Sequence, residues 1–398
     1  MLTIDSVYRA KRALEGVARK TDVIYAPKLC PGTELYLKTE NLQVTGSFKV
    51  RGAYYKMTCL SEEEKARGVV ACSAGNHAQG VALAAKKNGI KAVICLPDGA
   101  PISKVEATKS YGAEVCLVEG VYDDAYQKAL QLRDEKGYTF LHPFNDEEVI
   151  AGQGTIALEI VEQLPDVDAV IVPIGGGGLI SGIAYTIKTL NPRVKVYGVE
   201  ASGAPCMKNA LKEGSLATLS SVSTIADGIA VKQPGDLTYE LCNKYVDEIV
   251  TVTDDEISAA ILALMETQKL VTEGAGAVAV AAAMFNKVDL RGKKTVCLLS
   301  GGNIDVTILS RVISRGLLMS GRSCQLRIEL VDKPGQLKNV SRIIADLGGN
   351  VTSVRHERSN EGSDVNGCYL RIVLETRNFE HIEQIRKALQ AEGFKLID

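Results

Sequence analysis

The stretch DAVIVPIGGGGLISG, residues 168–182, passes from an apolar run through four consecutive glycines into a helical pattern. AVIVPI is apolar throughout rather than alternating, as expected of a parallel strand covered on both faces. GLISGIAYTIKTLN (178–191) follows at helical spacing and closes on Asn191. Working outward, GVVACS (68–73), KAVICLP (91–97), AEVCLVEG (113–120), VKVYGVE (194–200) and KTVCLLS (294–300) also read as strands. Helical stretches such as AQGVALAAKKNG (78–89) separate them and end on Gly or Asn. From about residue 35 to 300 the alternation of strand and helix predicts doubly wound α/β layers with parallel sheets.

Composition sets the outer limits. At 398 residues the chain is too long for one ordinary domain. It is 46% hydrophobic and 24% charged, with a net charge of −2, so no nucleic-acid or polyanion surface is expected. The N-terminal MLTIDSVYRAKRALEG lacks a signal-peptide core, and no apolar run reaches the ~18 residues of a membrane span. GAGAVAVAAAMF (274–285) is short and alanine-heavy and reads as a buried helix. The ten cysteines are scattered, without CxxC pairs, mostly in apolar runs. Buried thiols in a reducing cytoplasm are the expectation. His77, His142, His356 and His381 lie far apart without metal-ligand spacing, so no metal is expected.

Near residue 320 the pattern changes. SRGLLMSGRSC (314–324) reads as a helix end and linker, after which CQLRIELVD alternates: Leu326, Ile328 and Leu330 on one face, Arg327 and Glu329 on the other. KPGQLKNVSRIIADLGGN then predicts a helix with Pro334 in its first turn. Leu337, Val340, Ile343, Ile344 and Leu347 lie at helical spacing, and Gly348–Gly349 is the stop. Strands at 351–358 and 368–376, a helix with Ile382, Ile385 and Leu389 inward, and a terminal FKLI complete βαββαβ, a ferredoxin-like module. Its helices cover one sheet face; the other face calls for a partner or ligand.

Three glycine-bearing loops and one lysine carry the chemistry. Gly175, Gly176, Gly177 and Gly178, opening a helix, can turn successive N–H groups toward one anion, most often a phosphate. No Gly-Lys-Ser/Thr follows, so this is not a nucleoside-triphosphate loop. Glu200 ends the next strand as in a dinucleotide fold, but Ile180 and Ser181 break the G-x-G-x-x-G pattern. SAGNHAQG (73–80) is a second small-residue loop at a helix start, suited to a carboxylate. Taken alone, an asparagine there is simply a cap. SGGN, Ser300 to Asn303, is a third, and all three lie at strand ends where open parallel sheets bind ligands. In TGSFKVRGA (45–53), Lys49 follows Phe48 where a helix begins, and dipole and desolvation would disfavour its ammonium form. A phosphate cradle, a carboxylate loop and a nucleophilic amine call for pyridoxal phosphate, its aldehyde joined to Lys49.

TGSFKVRGA, SAGNHAQGVA, AGQGTIALEI, PIGGGGLISG, TIADGIAVK and LLSGGN together resemble the threonine/serine dehydratases, fold-type II pyridoxal-phosphate enzymes, over roughly residues 5–320. LVDKPGQLKNVSRIIADLGGN (330–350) resembles an ACT regulatory domain. A single such module is similar to the catabolic bacterial form. The resemblance implies a two-lobed catalytic domain over 1–320, with a smaller lobe at about 45–150 inserted in the larger, and an ACT domain over 325–398. It implies Lys49 as the residue joined to the cofactor and Phe48 packing by its ring. Asn76 would bond the ring oxygen, Gly175 to Gly178 and Leu179 the phosphate, and Ser300 the pyridine nitrogen. Ser73, Ala74, Gly75, Asn76 and His77 would hold the substrate carboxylate. A neutral Ser300 leaves the ring a weaker electron sink than an aspartate would, which favours β-elimination over transamination. Lys49 is then the candidate base at Cα–H. The product implied is 2-oxobutanoate with ammonia from threonine, and pyruvate from serine.

Two departures bear on the choice within the family. Ala74 stands where related serine racemases carry a serine, which disfavours racemisation. Cys206 stands where they place an acidic cation ligand, which puts a metal near Glu200 in doubt. The uncovered face of the C-terminal sheet favours pairing into a homodimer or homotetramer, and the family implies as effector an amino acid near Gly335 and Asn350 or a nucleotide at the catalytic domain. The competing classes are a nicotinamide oxidoreductase built on the glycine loop and Glu200, and a non-catalytic amino-acid sensor. The sensor leaves Lys49, Asn76 and Ser300 unexplained.

Overall fold

A computed structural model describes residues 2–357 and 367–397. The chain divides into two compact units, Met1–Ile308 and Leu309–Asp398.

The first unit holds two sheets. The larger has six strands in the order Val23–Tyr25, Glu34–Lys38, Lys294–Leu298, Ala169–Pro173, Lys195–Ala201, Glu248–Val252, all parallel except the first. The smaller is parallel, in the order Glu114–Val118, Ala92–Pro97, Val69–Cys72, Thr139–Phe140. Every residue of Ala169–Pro173 and of Val69–Cys72 is buried, because helices cover both sheet faces. That is why these strands read as unbroken apolar runs. Lys294–Leu298 and Ala169–Pro173 are neighbours in the sheet although far apart in sequence, so the loops leaving them emerge side by side. Gly175–Gly178 and Ser300–Asn303 are those loops.

The helix Lys49–Thr58 is set by close packing and by charge. Gly52 meets Gly152 of the helix Glu147–Gln163 so closely that a Cβ on Gly152 would lie 2.6 Å from the Arg51 carbonyl oxygen. Two residues after Lys49, the Arg51 guanidinium is only 1% exposed. It pairs with Glu40 at 2.8 Å and with Glu159 at 2.7 Å, and Glu159 also pairs with Lys38 at 2.6 Å. Two cations and two carboxylates thus neutralise one another in the interior, as burial of charge demands. The alanine-rich helix Gly274–Met284 is buried from Gly274 to Ala283. No helix among the described residues is long and apolar enough to cross a membrane. None of the ten cysteines is in a disulfide, and seven are buried.

The second unit contains an antiparallel sheet ordered Asn350–Glu357, Gly367–Glu375, Ser323–Val331, Lys395–Ile397, with helices Gln336–Asp346 and Phe379–Ala391. Leu326, Ile328, Leu330, Ile385 and Leu389 form its core. Its first helix begins at Gln336 rather than at Pro334, because Gly335 adopts φ +94° and acts as the cap. Leu337 consequently falls in the first turn and is 47% exposed instead of packing inward. The predicted strand end at 358 lies outside the described residues.

Candidate active site

The helix carrying Lys49 starts where its sequence motif suggests, with Phe48 as cap. The Phe48 N–H donates to the Ser300 carbonyl at 3.1 Å, and Ser47 forms a β-bridge with Gly301. These contacts fasten the lysine's turn to the SGGN loop. The Lys49 ammonium donates to the Pro143 carbonyl at 2.9 Å and lies 5.2 Å from the centre of the Phe48 ring. Desolvation lowers its pKa to about 8, with Glu273 opposing the shift. Its neighbours His77 and His142 are also held down by burial, His77 to about 3 and His142 to about 4, so both are neutral at pH 7.

The Gly175–Gly178 loop turns into the helix Gly178–Leu190 through Gly177 at φ +96°. The carbonyls of Gly175 and Gly176 point away into the protein: Cys206 donates to the first, Thr238 Oγ1 and the Gly235 N–H to the second. The N–H groups of Gly175, Gly176 and Gly177 find no acceptor among the described residues. The first N–H groups of the helix have no intrahelical partner either. A row of unpaired donors at a helix N-terminus is an anion site.

Ser300 is 2% exposed, and its hydroxyl donates to the Ala275 carbonyl at 3.2 Å. Asn76 is the first residue of the helix Asn76–Asn88; the cap is Gly75, without a side-chain bond. Its amide instead donates to Glu273 Oε1 at 2.6 Å and accepts from Asn303 at 2.8 Å. One amide hydrogen remains available. His77 Nε2 lies 3.0 Å from the Leu141 carbonyl, so its buried ring is engaged within the protein. Beyond Gly75, where an added Cβ would meet nothing within 4 Å, the loop opens to free space.

Phe48, Lys49, Ser73, Ala74, Gly75, Asn76, His77, Gly175 to Gly178, Leu179 and Ser300 all line one cavity of about 850 Å³. Glu200 does not line it: fully buried, it accepts from the Met207 and Lys208 N–H groups at the start of the helix Cys206–Glu213. It is therefore not placed to read a ribose. Five charged residues missed in sequence do line the cavity: Lys104, Asp123, Asp227, Asp236 and Glu273. Glu273 is raised to about 7, first by burial and then by the charge of Asp227. Lys104, on the helix Ile102–Ser110, pairs with Asp227 at 2.6 Å.

A family model described as pyridoxal-phosphate dependent enzyme matches residues 14–301, and an ACT domain model matches residues 325–393. The chain belongs to the pyridoxal-phosphate dependent enzymes. It is 51% identical over 398 residues to an L-threonine ammonia-lyase of Thermotoga maritima, covering 100% of this chain and 99% of the relative. Among solved structures it is similar to the processed form of threonine deaminase isoform 2 from Solanum lycopersicum. That likeness has a TM-score of 0.75 and 39% identity, over 79% of this chain and 88% of the other. It is also similar to maize serine racemase, with a TM-score of 0.75 and 36% identity, over 80% and 98%.

The residues of this enzyme fit the cofactor its family carries. Unpaired glycine N–H groups suit a phosphate, a lysine with a lowered pKa suits an aldehyde, and a neutral hydroxyl suits an unprotonated pyridine nitrogen.

Proposed function

We propose that this enzyme removes water from L-threonine to give, after loss of the amino group, 2-oxobutanoate and ammonia, and that L-serine yields pyruvate in the same way. The observation that carries the reading is the Lys49 amine, held to a pKa of about 8 on the wall of the cavity that the four glycines also line. Pyridoxal phosphate, when bound, supplies an electron sink that acidifies the Cα–H of an amino acid joined to it. Gly175, Gly176, Gly177, Gly178 and Leu179 would hold its phosphate, Phe48 would pack by the ring, and Asn76 would bond the ring oxygen with its remaining amide hydrogen. Ser300 would face the pyridine nitrogen as a neutral partner. The N–H groups of Ser73 to His77, at a helix start, would receive the substrate carboxylate. Lys49 would take the Cα proton, and the β-hydroxyl would leave from the neighbouring carbon. Racemisation needs an acid on the opposite face, and the methyl of Ala74 offers none.

For the C-terminal module we propose an amino-acid effector at the turn around Gly335 and the strand start at Asn350, with a nucleotide at the catalytic domain as the alternative. The exposed Thr352, Ser353, Val354 and Arg355 favour pairing of copies into a homodimer or homotetramer. The scattered, mostly buried thiols favour a cytoplasmic setting.

The decisive test is product formation from L-threonine and L-serine by the wild-type enzyme and by Lys49→Ala. The wild type should release the 2-oxo acid and ammonia in equal amounts. Lys49→Ala should remain folded, yet lose the visible absorbance of amine-linked cofactor and all measurable turnover. Near-normal turnover in the variant, or no ammonia from threonine in the cofactor-loaded wild type, would overturn the reading.

A further inference from the structure

The ACT sheet gathers three potential metal-ligating side chains that the elimination reaction does not use, one of them, Cys368, at the edge of the module's core. Asp332 follows the strand Ser323–Val331, His356 lies on Asn350–Glu357, and Cys368 lies on Gly367–Glu375. These strands are adjacent, with the cysteine's strand in the middle. Leu330 pairs directly with Cys368, and His356 with Leu370. Residues two apart on a strand share a face. Cys368 and His356 therefore project from the same face, and Asp332, in the bend just after the strand, brings its carboxylate to them at one end of the sheet. Cys368 is 1% exposed at the rim of the core, whereas Asp332 and His356 are exposed. One carboxylate oxygen, one imidazole nitrogen and the thiol sulfur all lie within 4.8 Å of one another, and His356 Nε2 is 3.0 Å from Cys368 Sγ.

We infer that Asp332, His356 and Cys368 bind a divalent transition metal, zinc in the first instance. Imidazole, thiolate and carboxylate are the ligand types zinc takes. A tetrahedral zinc with bonds of about 2.0–2.3 Å holds its ligand atoms about 3.3–3.7 Å apart. The observed cluster brackets that spacing, so small rotations about the side-chain bonds of two exposed residues convert it into a coordination sphere. Three protein ligands leave one position for water or for a ligand of the module. On binding, the thiol loses its proton to solvent and the sulfur donates to the metal; nothing is oxidised or reduced. Sequence spacing concealed the site, because the three residues lie far apart in sequence and only the fold of the sheet brings them together.

The test uses the full-length, cofactor-loaded protein. It is incubated with zinc chloride, freed of excess metal, and its bound zinc measured by elemental analysis. The same experiment with cobalt chloride reads the near-ultraviolet charge-transfer band of a cobalt–thiolate bond, after subtraction of the cofactor spectrum. The wild type should retain about one zinc per chain and show the cobalt band. His356→Ala and Asp332→Asn, at exposed positions, should remain folded by circular dichroism and bind at least about tenfold more weakly. Cys368→Ser should lose the band; if it unfolds, the two exposed variants decide. Absence of retained zinc in the wild type, or equal retention in His356→Ala, overturns the assignment. Turnover of threonine in metal-free protein should be unchanged, which separates failure of this site from failure of the catalytic reading.

Discussion

Replacing Arg51 with methionine tests what keeps the Lys49 helix in place. The Arg51 guanidinium donates to Glu40 at 2.8 Å through both Nε and Nη2, to Glu159 at 2.7 and 3.0 Å, to Thr155 at 3.2 Å and to the Arg19 carbonyl at 3.1 Å. Methionine fills much of the volume but leaves Glu40, which is fully buried, with Thr21 and Gln43 as its side-chain hydrogen-bond donors among the described residues. The buried cluster of Lys38, Arg51, Glu40 and Glu159 then passes from neutral to a net negative charge. Removing one partner of a buried pair costs roughly 3–5 kcal/mol, a large part of the ~5–15 kcal/mol that holds a protein folded. At about 2–3 °C per kcal/mol, the melting temperature of the catalytic unit should fall by about 6–15 °C. The pH dependence has a definite sign. In the wild type Glu40 is held below the usual carboxylate range against burial by the charge of Arg51, so it stabilises the fold above that range and less in acid. Without Arg51, burial is opposed only by the Thr21 hydrogen bond and the charge of Lys38, so the Glu40 pKa rises and the loss relative to wild type should shrink as pH falls toward 5. Arg51→Met combined with Glu40→Gln removes the orphaned charge and should recover part of the stability. Thermal unfolding of the three proteins at pH 7.5 and pH 5.5 is the assay. A single variant within ~1 kcal/mol of wild type, or a double variant less stable than the single at pH 7.5, would refute the reasoning.

In Gly176→Ala the new Cβ would run into three ring atoms of Phe144, so the ring or the loop must move. Cofactor retention on dialysis should weaken at least about tenfold, whereas Gly75→Ala, which meets nothing within 4 Å, should stay within about twofold of wild type. Ser300→Asp should put a proton on the pyridine nitrogen and divert part of the flux to transamination. An unchanged spectrum and product ratio would show that Ser300 does not face the ring. With its pKa near 8, the Lys49 amine should make reconstitution of cofactor-free enzyme about tenfold faster per pH unit below 8, levelling off above it. A rate still climbing toward pH 10 would show a solvated lysine. The unfolded chain keeps this proton up to about pH 10.4, so cofactor-free wild type should gain stability relative to Lys49→Met as pH rises from 8.

What could be read from the sequence depended on the distance over which each feature is determined. The parallel strands declared themselves because covering both faces of a strand leaves no polar position, as in Ala169–Pro173. Val23–Tyr25 and Thr139–Phe140 escaped notice because three and two residues carry no period. Glu34–Lys38 was obscured by its charged ends, and Lys38 turned out to be fully buried against Glu159. The same distinction separates the parts of the site. A row of glycines is a local statement about backbone, since unpaired N–H groups at a helix start follow from conformation alone. Lys49 could be suspected because its motif fixes it at such a start. Glu273 gave no local sign: it precedes an alanine-rich helix, and only the fold buries it against Asn76, at 2.6 Å. Asn76 itself looked like a cap, yet the fold uses its amide to join Glu273 to Asn303. Buried charge is where sequence reading fails, since its partner is chosen by tertiary structure. Arg51 is the sharpest case, because one position of surface arginine and one of interior arginine look alike until Glu40 and Glu159 arrive from other elements.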